Sequence, residues 1–133
     1  MKTTILVIED NENNLYLVTF ILEKCGYQVV QARDGQTGIE LAREINPDLI
    51  LLDIQLPVMD GYAVARELTR NGELRGIPIV AVTSYAMAGD RERILAAGCA
   101  GYIEKPINPP TFEAEIEQYL PADKKCNPSG RVP

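Results

Sequence analysis

Leu49-Ile50-Leu51-Leu52-Asp53 sets four apolar residues in succession and closes them with a carboxylate. A strand with one face in water alternates apolar and polar side chains. A strand apolar at every position is covered on both faces, and such strands belong to parallel sheets flanked by helices. Two more runs are written the same way: Ile5-Leu6-Val7-Ile8 runs into Glu9-Asp10, and Ile79-Val80-Ala81-Val82 runs into Thr83. Gln28-Val29-Val30-Gln31 is polar at both ends and suits an edge. Gly101-Tyr102-Ile103-Glu104, followed by Lys105-Pro106, completes a set of five.

Segments of helical period lie between these runs. The spacing predicts a first helix from about Asn13 to Lys24, with Leu15, Val18 and Leu22 inward and Gly26 past its end. A second runs from Gly35 to Glu44 with Gly38, Leu41, Ala42 and Ile45 in phase, and Pro47 forbids continuation. A third follows Asp60-Gly61, with Asp60 as N-cap and Val64 and Leu68 inward. A fourth begins near Asp90 and ends at Ala97-Gly98. The fifth opens at Asn108-Pro109-Pro110 and carries Phe112, Ile116, Tyr119 and Leu120 on one face. Strands alternating with helices give an α/β fold, a (βα)5 doubly wound sheet of five parallel strands in the flavodoxin-like order 2-1-3-4-5. Residues 3–121 form the domain. Residues 122–133 change composition and are expected to be a disordered tail or the stub of a linker.

Composition narrows the function. At 133 residues the chain has the length of one domain with one proper core. Nineteen acidic against thirteen basic residues, with no basic cluster, disfavour a nucleic-acid surface, because neutralising phosphates needs gathered Lys and Arg. No apolar run approaches the roughly 20 residues of a membrane span. Three cysteines without metal-type pairing fit a reducing cytoplasm. There is no histidine, which removes Ser-His-Asp catalysis and imidazole metal sites, and means that any phosphohistidine must belong to another molecule.

In an open parallel sheet, ligands bind beyond the carboxyl ends of the strands. Glu9, Asp10, Asp53, Thr83 and Lys105 all stand there. Glu9 and Asp10 have a second reading as part of a helix cap between Asp10 and Asn14. Asp53 does not, because a carboxylate ending a central apolar strand has to be hydrogen-bonded, paired or metal-bound. With the first and third strands adjacent, Asp10 and Asp53 face each other. Like charges that close raise a pKa, and a shared hard cation such as Mg²⁺ removes the conflict. Lys105 supplies a balancing charge and Thr83 a hydroxyl, so the set can grip a transferred phosphoryl group.

Four motifs carry a resemblance: Ile8-Glu9-Asp10-Asn11, the run from Leu51 to Gly61 (LLDIQLPVMDG), the run from Ala81 to Met87 (AVTSYAM), and the run from Gly101 to Ile107 (GYIEKPI). In this order and at these intervals, residues 3 to about 121 resemble a response-regulator receiver domain of two-component signalling, similar to single-domain regulators of the DivK type and to receivers of hybrid kinases. The resemblance implies that Asp53 is the phosphoacceptor. It implies that Asp10 and Asp53 ligate Mg²⁺, with Mn²⁺ as its substitute, Glu9 acting through water and the Gln55 backbone carbonyl as a further ligand. Thr83 and Lys105 would read the phosphoryl group, and Tyr102 would be the switch aromatic. The implied donor is a sensor histidine kinase or a histidine phosphotransfer protein. The implied output is a protein target at the face of helix 4, strand 5 and helix 5. Tyr85 is expected to shield the acyl phosphate from water.

Two other readings share parts of this pattern. A Mg²⁺-dependent phosphatase with an Asp nucleophile usually adds a cap domain and a second acid near the nucleophile, whereas Gln55 stands two residues after Asp53. A flavodoxin-like flavin binder needs a first loop that welcomes phosphate, whereas Glu9-Asp10-Asn11-Glu12-Asn13 is acidic and lacks glycine. Within the favoured class, the chain is either a complete regulator or the receiver fragment of a larger regulator or hybrid kinase. Met1 and its short lead favour the former.

Overall fold

A computed structural model describes residues 3–56, 58–70, 72–74, 76–84 and 88–125. Five strands, β1 (Thr4–Ile8), β2 (Gln28–Ala32), β3 (Leu49–Asp53), β4 (Ile79–Thr83) and β5 (Gly101–Glu104), pair in parallel in the order β2-β1-β3-β4-β5. Five helices alternate with them: α1 (Glu12–Lys24), α2 (Gly35–Ile45), α3 (Gly61–Arg70), α4 (Ala88–Ala96) and α5 (Pro109–Glu117). This is the expected doubly wound fold. Register then sets the level of the strand ends. Ile8 pairs with Leu52, Asp53 with Val82, and Thr83 with Glu104, so the residues closing β1, β3, β4 and β5 emerge along one edge.

The unbroken apolar runs divide by alternation, as strand geometry requires. Ile5 and Val7 of β1 face the core shared with Leu15, Val18 and Leu22 of α1 and Phe112 and Ile116 of α5. Leu6 and Ile8 face the opposite core, with Ile39 and Ala42 of α2 and Val64 and Leu68 of α3. The edge strand β2 keeps Gln28 and Gln31 exposed.

Caps explain most helix limits. Asn11 Oδ1 accepts from the Asn14 N–H at 3.0 Å and opens α1, so the cap role considered for Asp10 falls to its neighbour. Asp34 Oδ1 accepts from Thr37 N–H at 2.8 Å, and Asp60 Oδ1 accepts from Ala63 N–H at 2.9 Å, the latter as expected. On α2 the buried stripe is Gly38, Ile39 and Ala42, while Leu41 and Ile45 are half-buried. The helix axis comes too close to β1 for the expected phase: a Cβ on Gly38 would lie 2.5 Å from Ile8 Cδ1.

The tail expected from residue 122 opens with a docked 3-10 turn, Ala122–Lys124. Thr3 Oγ1 donates to the Lys124 carbonyl at 2.6 Å, and Lys124 Nζ lies 3.1 Å from Asp48 Oδ1. Asp48 Oδ2 in turn accepts from Thr4 N–H at 2.8 Å, so the turn stitches the starts of β1 and β3. Tyr85 and residues 126–133, Cys126 included, lie outside the described residues. Among the described residues no helix is long and apolar enough to cross a membrane.

Candidate functional site

The crevice beyond the strand ends holds the acids. Glu9, Asp10 and Asp53 each offer a carboxylate oxygen, and these atoms lie within 4.8 Å of one another. Glu9 and Asp53 are buried, at 4% and 3% exposure, whereas Asp10 is exposed at the mouth. Asp53 Oδ1 accepts from the Gln55 N–H at 3.0 Å, which folds the chain after β3 back beside the carboxylate. Lys105 reaches in from the end of β5. Its ammonium stands 3.3 Å from Asp53 Oδ1 and 3.5 Å from Glu9 Oε1. The backbone at that point is fixed by Lys105 N–H donating to the Thr83 carbonyl at 2.8 Å, and the Lys105-Pro106 peptide is cis. The second lysine contact, to Glu9, is not legible in the sequence.

One ammonium does not neutralise three carboxylates, and the surplus falls on Glu9. Its carboxyl is pushed up from 4.5 to about 7, chiefly by burial, then by its hydrogen bond to Asp53 and by that group's charge, with Lys105 pulling the other way. The conflict foreseen between facing acids is thus met at Glu9. A carboxyl whose folded pKa is raised favours the fold while protonated, so this contribution is complete below its ordinary pKa and is lost as pH climbs through the folded value. In metal-free protein, raising pH from about 5 to about 8 therefore removes stability that Glu9→Gln keeps. Thermal melts in chelator across that range measure it. Parallel pH profiles for the two proteins would contradict the assignment.

The donor set suits a hard cation. All candidate ligands are oxygens, and carboxylates about 2.1 Å from one ion lie at most about 4.2 Å apart. Spacing up to 4.8 Å needs a small inward turn of a side chain, or one ligand acting through water.

Thr83 is buried at the end of β4, and it lines a cavity of about 280 Å³ with Gln55, Asp60, Tyr62, Asp90 and Arg93. Tyr102 stands two residues back from the end of β5, paired with Ala81, half-buried, and lines a separate groove with Arg91, Leu95, Glu104 and Tyr119. Of the site residues singled out in the sequence, Glu9, Asp10, Asp53, Gln55, Thr83 and Lys105 therefore stand at one crevice or its rim, Tyr102 lies off it, and Tyr85 falls outside the described residues. The Arg93 and Tyr62 side chains of the rim went unseen in the sequence, where an arginine on a helix reads as solvated surface.

Fold and side chains together define an open parallel α/β protein whose strand ends hold an acidic crevice closed by a lysine. Comparison with known proteins narrows this. Residues 5–117 match the response regulator receiver domain family. The polar-differentiation response regulator DivK of Brucella anthropi is 47% identical over 120 residues, covering 90% of this chain and 98% of DivK. The receiver domain of the sensor histidine kinase PA1611 from Pseudomonas aeruginosa, solved with magnesium coordinated in its active site cleft, is 34% identical with a TM-score of 0.82, over 90% of this chain and 98% of that one. A structure pairing the Saccharomyces cerevisiae histidine phosphotransfer protein Ypd1 with the receiver domain of its downstream response regulator Ssk1 matches at 27% identity and a TM-score of 0.83, over 90% of this chain and 89% of that one. The chain belongs to the response-regulator receiver family. It is a signalling domain of the phosphorelay kind.

Proposed function

We propose that Asp53 accepts a phosphoryl group from a phosphohistidine on another protein, and that the phosphorylated form changes the partner-binding face of α4, β5 and α5. One observation carries the reading: a buried carboxylate, two further acids within 4.8 Å and an ammonium 3.3 Å away share the edge where such sheets bind ligands. Asp10 and Asp53 would hold Mg²⁺, or Mn²⁺ in its place, with Glu9 acting through water and the Gln55 carbonyl as a further ligand. When bound, the cation offsets negative charge on the transferring oxygens.

The chain's own groups do the rest. An Asp53 oxygen attacks phosphorus, and the new O–P bond forms as the donor's N–P bond breaks, its electron pair returning to the imidazole. The Lys105 ammonium balances charge on one phosphoryl oxygen, and the Thr83 hydroxyl donates to another. The absence of histidine from this chain and the Ypd1–Ssk1 pairing both favour a histidine kinase or phosphotransfer protein as donor. The cytoplasm suits that donor and the buried thiols of Cys25 and Cys99. The output partner is a protein, and the acidic net charge argues against direct nucleic-acid binding.

Phosphoramidate in magnesium should place one hydroxylamine-labile phosphate on each chain, and chelator should abolish it. No uptake by folded protein would sink the reading. The output is a population shift, and moving an equilibrium from 1:99 to 99:1 needs about 5.5 kcal/mol of differential binding. Tyr102→Ala should still take up phosphate while losing phosphate-dependent partner binding. Equal binding by the two phosphorylated proteins would count against a switch role for Tyr102.

A further inference from the structure

Helix α4 is held by less of the core than its neighbour. Within it Ile94 is buried, while Arg91, Glu92, Arg93 and Leu95 are exposed; α3 by contrast buries Tyr62, Val64, Ala65 and Leu68. Two arginines extend the attachment. The Arg93 guanidinium lies 4.0 Å from the centroid of the Tyr62 ring on α3, and that of Arg91 lies 5.9 Å from the Tyr102 ring on β5. The Tyr62 ring is buried and so fixed in place. Its partner Arg93 shares a cavity with Thr83 and Gln55, beside the proposed phosphoacceptor. Asp60 and Asp90 line that cavity too.

We propose that Arg93 is a positioning residue of the switch: stacked on Tyr62, it clasps α4 to α3 in the resting form, and phosphoryl uptake at Asp53 works against the clasp. This rests on the reading that phosphorylation remodels the α4–β5–α5 face. If Tyr102 turns inward, the longer Arg91 contact is released with it, and Arg93 on Tyr62 remains as a tie between α4 and α3 beside the buried Ile94. A contact made in one state only shifts the equilibrium toward that state, and its loss raises the apparent affinity of any ligand that selects the other.

The test titrates a phosphoryl mimic, beryllofluoride with magnesium, into the full chain and follows amide resonances. Arg93→Ala should bind the mimic about two- to fivefold more tightly, the range for a cation–π contact at an exposed site. Arg93→Lys and Tyr62→Phe keep a cation and a ring face, and should stay near wild type. Tyr62→Leu should reproduce Arg93→Ala, with no further gain in the double variant. A contact that only adds stability would lower the Tm of Arg93→Ala and leave its affinity for the mimic unchanged. That result, or weaker binding, overturns the proposal. Failure of the wild type to bind the mimic at all would instead sink the phosphorylation reading, independently of Arg93.

Discussion

Asp53→Asn takes up no phosphoryl group from phosphoramidate in magnesium, and in chelator at a pH above about 8, where Glu9 is ionised, it is more stable than the wild type. The first result follows from chemistry, because an amide oxygen is not a nucleophile toward phosphorus under these conditions. The second follows from charge. Asp53 is buried, it is attracted to one ammonium at 3.3 Å, and it is repelled by two neighbouring carboxylates. Replacing it with a neutral isostere gives up one attraction, relieves two repulsions and removes the desolvation of a buried anion. A gain on the order of 1 kcal/mol, and a rise in Tm of a few degrees, is expected. Glu9 should also titrate closer to its ordinary range, since Asp53 supplies both the hydrogen bond and the charge that help burial raise it. Phosphate counting and urea denaturation check the two halves separately. Uptake at the wild-type level would move the acceptor to another residue, and a less stable variant would mean that the lysine pairing outweighs the repulsion.

Much of this is legible in the sequence because two signals coincide there. Strands at 5–8, 49–52 and 79–82 are apolar at every position, which commits them to a sheet covered on both faces. Each is closed by polar residues, and once the strands are parallel and in register those residues come level. The site therefore needed only the strand ends. What escaped depends on contacts between distant parts of the chain. The buried face of α2 is set by how closely Gly38 approaches Ile8, which helical period alone does not encode. The docked turn at 122–124 depends on Thr3 and Asp48 waiting at the opposite edge of the sheet. The clasp of Arg93 on Tyr62 joins residues on two helices that sequence spacing cannot align.

Lys105→Met separates the two tasks given to the lysine. The side chain is only 14% exposed, and methionine fills similar space, so the change is mainly the loss of one charge. Glu9 and Asp53 are left buried, with no other cation paired to either among the described residues. Breaking a buried pair by removing one partner costs about 3–5 kcal/mol, and the partial exposure of Lys105 brings the expectation to about 2–3 kcal/mol. In chelator that lowers Tm by roughly 10 °C. The deficit should grow as pH rises through about 7, because protonated Glu9 carries no charge for Lys105 to balance. Magnesium should close most of the stability gap, since a dication meets the same carboxylates. Phosphoryl uptake behaves differently. There the ammonium is aimed at charge that develops on the transferring group, and removing one such contact slows transfer by about a hundredfold or more even with the cation present. Stability rescued by magnesium with uptake left unrescued is the expected signature. Rescue of both would confine Lys105 to balancing the resting acids, and rescue of neither would place its main contribution in packing between the ends of β4 and β5.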